Sequence, residues 1–381
     1  MNINTVIVQL VLFLASAVHA HATQHYDNAI KQQQEIIETH HVPTFTSCEI
    51  QSGKQDEKLK EILTTTGLFA IRVPMSQSST SSSPSNNNDS TKENNHLLQN
   101  LCQCNPHTMS KISNGDSRTL ADGLTTRSTI ATATRGFTPL ALPEHDINQY
   151  CGSGVYDSLE LMRDYVSVTA VKETFIPALD RIILQHQHGD SYEDNQRLGL
   201  EYGAGKRQQL QLLSTKDDDD GDDENNENGG YSTIASILKD ANHLEHFHLY
   251  SKKNTDDNHT EVQNDDQAQA IDGALDWHTD GGLFLAFIPG QHCHETNDGN
   301  DDSFRITVPS KDKSNRKGIE MKAIFPDSAT NNNPNEIVVA IMLGAGAEHW
   351  LNTPKSLELK ATKHAVKMKV GDIRAWYGMS K

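Results

Sequence analysis

The chain has 381 residues, a formal net charge of -18 from 51 acidic against 33 basic side chains, and a mean hydropathy of -0.61. A surface this acidic repels phosphate backbones, which argues against a nucleic-acid partner. The polarity is concentrated in Ser-, Asn- and Asp-rich stretches, so the segments between them keep enough apolar residues for a sizeable core. The acidic run Asp217 to Glu227 lacks the spaced ligands and central Gly of an EF-hand loop and reads as a solvated segment.

At the N-terminus, Val6 to Val18 is largely apolar, and Val18-His19-Ala20 offers a small-residue cleavage site. Residues 1–20 are therefore predicted to be a signal peptide, since the apolar run is too short for a stable membrane anchor. The expected location is the secretory pathway, either the endoplasmic reticulum lumen or outside the cell. The sequons Asn88-Asp89-Ser90 and Asn258-His259-Thr260 agree with a glycoprotein. The cysteines are Cys48, Cys102, Cys104, Cys151 and Cys293; in an oxidising lumen some can pair, and the odd count leaves at least one over.

Leu59 to Leu63 has helical spacing and is followed by Gly67, which turns the chain into an alternating strand, Leu68 to Val73, closed by Pro74. Low-complexity breaks follow at Ser76 to Asn95, Ser214 to Gly230, Lys252 to Gln267 and Thr296 to Ser303. Between the first two, apolar residues from Tyr156 to Leu184 recur at helical spacing, interrupted near Pro177. Residues 21–230 are thus expected to be mainly helical with polar inserts. After Tyr231, short strand-like runs appear at Phe247 to Tyr250, Leu283 to Ile288, Phe304 to Val308, Ile319 to Ile324, Ile337 to Leu343, His364 to Met368 and Ile373 to Tyr377. Many short strands separated by turn residues predict a jelly-roll core over residues 231–381. The expected fold class is mainly β, with helices in front.

The chemistry is expected at Trp277-His278-Thr279-Asp280-Gly281-Gly282. In extended backbone, residues two apart share a face, so His278 and Asp280 can meet one ion. A further His would complete two imidazoles and a carboxylate on one face of iron(II), leaving the other face open. His364 is the expected third ligand. Arg374, ten residues on, can face the same cavity and clamp a carboxylate through paired hydrogen bonds.

These residues, in this order, resemble the plant-type 2-oxoglutarate and iron(II)-dependent dioxygenases, the group that includes isopenicillin N synthase. That pattern is His-x-Asp before a glycine and a strand, then His-x-Val, then Arg. Here it is carried by His278, Asp280, Gly281-Gly282, His364-Ala365-Val366 and Arg374. The resemblance covers Leu244 to the C-terminus and extends faintly to Leu59 to Val73. It implies a double-stranded β-helix core, Fe(II) held by His278, Asp280 and His364, and 2-oxoglutarate held by Arg374. It also implies oxidation of a small-molecule or peptide substrate. The sequence departs from the pattern at Trp376, where the family has Ser or Thr, and it stops before the family's C-terminal helices. Both departures keep a second reading open, a non-catalytic β-helix protein that binds a metal or ligand.

His243, His246 and His248 could instead hold zinc, but a core strand beside the cavity is the better expectation. His292-Cys293-His294-Glu295 follows Pro289-Gly290 and reads as loop composition, and Tyr250 as a pocket-lining or half-buried strand aromatic. Gly344-Ala345-Gly346-Ala347 lacks a phosphate-loop pattern and is expected to be a turn. Gly152-Ser153-Gly154 lacks the strand and the leading Gly of a nucleophile elbow.

Overall fold

The computed structural model describes residues 38–75, 97–187, 233–253, 273–293, 304–310, 318–326, 335–351, 353 and 357–381. The expected leader at 1–20 and both sequons lie outside the described residues, as do most of the low-complexity breaks. Thr39–Lys381 form one compact unit.

Among the described residues, fourteen strands build two sheets. They are β1 (Thr39–His41), β2 (Thr44–Thr46), β3 (Leu68–Pro74), β4 (Gly115–Thr119), β5 (Thr125–Arg135), β6 (Thr138–Pro139) and β7 (Asn242–Lys252). The rest are β8 (Gly273–His278), β9 (Phe284–His292), β10 (Phe304–Val308), β11 (Ile319–Ile324), β12 (Glu336–Leu343), β13 (His364–Lys367) and β14 (Ile373–Ser380). The larger sheet runs β2-β3-β12-β9-β14-β7-β5-β4 with β6 on β5, and the smaller runs β1-β11-β10-β13-β8. From β7 onward the chain crosses between the sheets at every step except from β10 to β11, which pair within the smaller one, leaving β12-β9-β14-β7 facing β11-β10-β13-β8, all neighbours antiparallel. This is a double-stranded β-helix, the expected jelly roll.

The region before residue 231 contributes more strand than its composition suggests, and the division expected at 230 is not a structural boundary. β3 pairs along its length with β12, and β5 pairs along its length with β7. The physical reason is that β7 and β12 would otherwise be sheet edges with unpaired backbone groups. The strand predicted at Leu68 to Val73 is present. The segment β4–β6 falls where a mainly helical region is expected; β5, Thr125–Arg135, consists of Thr, Ser and Ala with two arginines, and Ile130 is its one large apolar residue.

Helices cover the outer face of the large sheet. Val155–Arg163 is α-helical, Asp164–Phe175 widens into a π-helix and Ile176–Gln187 resumes the α-helix. Pro177 has no N–H for the carbonyl of Glu173, and Gln51 Nε2 donates to that oxygen instead at 3.3 Å. Phe175 packs on Phe69 of β3 and Phe284 of β9, with ring centroids 5.6 and 5.0 Å away, which locks the helices onto the sheet. Under them, Arg163 Nε donates to Glu245 Oε2 at 2.7 Å, and Thr134 Oγ1 donates to Glu245 Oε1 at 2.8 Å. Two disulfides, Cys102–Cys293 and Cys104–Cys151, tie the helix Leu97–Leu101 and its continuation to β9 and to the helix Glu144–Cys151. Cys48 is free and exposed. Among the described residues, no helix is long and apolar enough to cross a membrane.

Candidate metal centre

His278 ends β8, His364 begins β13, and the two are paired across the small sheet with ring centroids 4.2 Å apart. Asp280 follows in a turn pinned from the helix Ala345–Trp350. Ala345 N–H donates to Asp280 O at 2.7 Å and Gly346 N–H donates to Gly282 O at 2.9 Å. Gly344 permits this approach, since a Cβ there would lie 2.3 Å from Gly282 O. The Gly-Ala-Gly-Ala run is thus the start of a short helix and more than the expected turn, and that helix fixes the carboxylate. The result is Asp280 Oδ1 at 3.8 Å from His278 Nε2 and Asp280 Oδ2 at 4.0 Å from His364 Nε2. One ligand atom from each of the three residues lies within 4.8 Å of the others.

Hydrogen bonds set which nitrogen each imidazole presents. His278 Nδ1 is 2.7 Å from Asp276 O, and His364 Nδ1 is 3.3 Å from Thr362 O. A carbonyl only accepts, so Nδ1 of each ring carries the proton and the Nε2 lone pair is turned toward Asp280. Burial lowers the pKa of His364, against the pull of the Asp280 charge, so the ring is held in its neutral, metal-binding form. Asp280 Oδ2 is buried and lacks a hydrogen-bond partner. A buried carboxylate oxygen beside two nitrogen lone pairs is unfavourable unless a cation sits among them, and the donor set suits a divalent ion such as Fe(II). Among the described residues, no other group of three His, Cys, Asp or Glu side chains converges in this way.

The centre opens into a cavity of about 310 Å³ between the two sheets. On the large-sheet face, Arg127 of β5, Tyr250 of β7 and Arg374 of β14 lie on one cross-strand row. Arg374 is buried, and its Nη2 donates to Gly290 O at 3.3 Å. Burial raises the pKa of Tyr250, against the opposing effect of Arg127 and Arg374. On the next row His248 accepts the face of Trp376, centroids 5.1 Å apart and planes 17° from parallel, while His248 Nδ1 shares a 2.8 Å hydrogen bond with Thr129 Oγ1.

The structure thus brings His278, Asp280, His364 and Arg374 to one cavity, together with Tyr250, His246 and His248. His243 points to the other face, with Nε2 3.1 Å from Leu238 O, so the three histidines do not converge. β9 continues through Pro289-Gly290 to His292, and Cys293 is bonded to Cys102, so these residues are strand and tether where loop was expected. Arg127 was not singled out in the sequence. The signal that could have found it is the β-branched run Thr125 to Thr134, which marks a strand without marking a core.

No protein-family model matches the sequence, and no curated protein matches it. Solved structures similar to this chain include dioxygenase for auxin oxidation 1 from Arabidopsis thaliana in its 2-oxoglutarate complex. It is 14% identical, with 89% of this chain and 91% of that one covered and a TM-score of 0.44. The rice dioxygenase for auxin oxidation is 8% identical over 89% and 82%, with a TM-score of 0.43. A 2OG-Fe(II) oxygenase family protein from Caulobacter crescentus is 10% identical over 89% and 85%, with a TM-score of 0.40. Such distant likeness leaves the chemistry to be read from the residues themselves.

Proposed function

We propose that this protein is an iron(II)- and 2-oxoglutarate-dependent oxygenase acting on a small organic substrate. His278, Asp280 and His364 hold the metal and Arg374 holds the distal carboxylate of the keto acid. The observation that carries this reading is the unpartnered Asp280 Oδ2, set against two Nε2 atoms in a cavity that also holds a buried guanidinium. Iron(II), when bound, supplies the dioxygen chemistry that couples decarboxylation of the keto acid to oxidation of the substrate.

The chain's own residues supply geometry and a dry site. Asp276 O and Thr362 O hold the imidazoles in the ligating tautomer. Phe304 stacks on His364 with centroids 5.5 Å apart, and Phe287 and Phe325 continue the apolar wall. Arg374 presents a planar fork to a carboxylate, and Trp376 replaces a small hydroxyl with one N–H donor and a broad apolar face.

Anaerobic calorimetry with Fe(II), then with 2-oxoglutarate, tests the assignment. Wild type should bind one iron and one keto acid. His278→Ala and His364→Ala should each lose iron, and Arg374→Gln should lose only the keto acid. Unchanged iron affinity in both His variants would overturn the metal site. Trp376 favours a second reading, a non-catalytic binding protein; iron binding without 2-oxoglutarate binding and without succinate formation would select it. The two disulfides support an oxidising compartment, in line with the leader expected at 1–20.

A further inference from the structure

Among the described residues, those lining the cavity include two guanidiniums and one carboxylate. On the reading above, a divalent metal and a doubly charged keto acid cancel one another, and Asp280 offsets one guanidinium. One positive charge is left over in a site with low-dielectric walls, where an unbalanced charge is costly. The surplus falls on Arg127. Among the described residues no carboxylate forms an ion pair with it, and its Nε is buried without a hydrogen-bond partner. The cross-strand neighbour Arg118 is itself cationic and is paired with Asp116.

Arg127 does not share the anchor of Arg374. β5 and β14 flank β7, so their backbones stand about 10 Å apart at the usual strand spacing. The head of Arg374 leans further away, over Gly290 of β9, where a Cβ would come within 2.4 Å of its Nε. Arg127 faces the other side of Tyr250. His246, His248 and Tyr250 stand at alternate positions on one face of β7, and that face lines the cavity together with the triad. A molecule anchored at Arg127 would therefore pass over the His246 and His248 rings toward the triad.

We propose that Arg127 binds the carboxylate of the organic substrate, which makes the substrate class a small monocarboxylic acid with an apolar body. This rests on the oxygenase reading for the position of the reacting end.

Hexanoate and phenylacetate, each against its primary amide, test this by calorimetry on the Zn(II)-loaded protein saturated with 2-oxoglutarate. At least one acid should bind about tenfold or more tightly than its amide, the range of a charge-assisted hydrogen bond. Arg127→Gln should abolish that preference, Arg127→Lys should retain part of it, and both should leave 2-oxoglutarate affinity unchanged. Arg374→Gln should do the reverse. Absence of any acid preference, or a preference untouched by Arg127→Gln, overturns the proposal. So does a loss of 2-oxoglutarate affinity in Arg127→Gln as large as in Arg374→Gln, which would make Arg127 a second clamp for the keto acid. If 2-oxoglutarate fails to bind wild type while the Arg127-dependent acid preference persists, the oxygenase reading falls and the carboxylate site stands.

Discussion

Trp376 lies flat across Gly378, two residues further along β14, so closely that a Cβ on Gly378 would fall 2.1 Å from the indole Cη2. Stacking on His248 from the neighbouring strand holds the ring there. The bulky residue standing in place of a hydroxyl is thus accommodated by a glycine, which keeps the cavity open from the triad to Arg374.

Gly378→Ala should force the ring off His248. The expected loss is about 1–3 kcal/mol, typical of overpacking a filled site. Urea unfolding and the near-ultraviolet tryptophan signal check it. Trp376→Leu combined with Gly378→Ala should recover most of the loss, because the two positions share one volume. Additive losses in the double variant would sink the idea.

Gly290→Ala should act on the co-substrate and spare the fold. The atoms a new Cβ would meet are the flexible head of Arg374, which can swing away at little cost. The expected result is a drop of about tenfold or more in 2-oxoglutarate affinity, with iron affinity and unfolding midpoint nearly unchanged. An unaltered keto-acid affinity would remove Arg374 from its assigned role.

Arg163 and Glu245 are both fully buried beneath the helical layer. Replacing Arg163 with Met leaves the Glu245 carboxylate with Thr134 as its remaining hydrogen-bond donor. That should destabilise the fold by about 3–5 kcal/mol, the usual cost of breaking a buried pair. Adding Glu245→Gln should return much of it. Denaturant titration of the single and double variants would show this as a large, non-additive difference.

Burial, with Lys381 nearby, pushes the His243 imidazole down to about 4. The unfolded chain takes up this proton near the ordinary value of 6.5, before the folded protein does. His243 therefore contributes stability above that value, and the contribution is lost as pH falls from 6.5 toward 4, by up to about 3 kcal/mol. Lys381, pushed down by burial to about 7, acts in a different window, between its unfolded value of 10.5 and 7. Urea midpoints at pH 7 and pH 4.5 should fall more steeply for wild type than for His243→Gln, whose amide can still donate to Leu238 O. Equal slopes would contradict the assignment.

What the sequence determined by itself is local. Alternation and turn residues marked seven strands of the jelly roll, and the helix before Gly67, because each depends on a handful of adjacent residues. His278, Asp280, His364 and Arg374 were legible because their order and spacing along the chain form a recognisable pattern. The tertiary structure decided the rest. β5 is too rich in Thr and Ala to announce itself and becomes a strand by completing the edge of β7. Only that pairing carries Arg127 into the cavity. Trp376 was visible as an oddity, yet its fit over Gly378 and against His248 depends on a β14 strand seated between β7 and β9. Contacts of that kind join residues whose separation along the chain says nothing of their distance in space, so composition and periodicity cannot reach them.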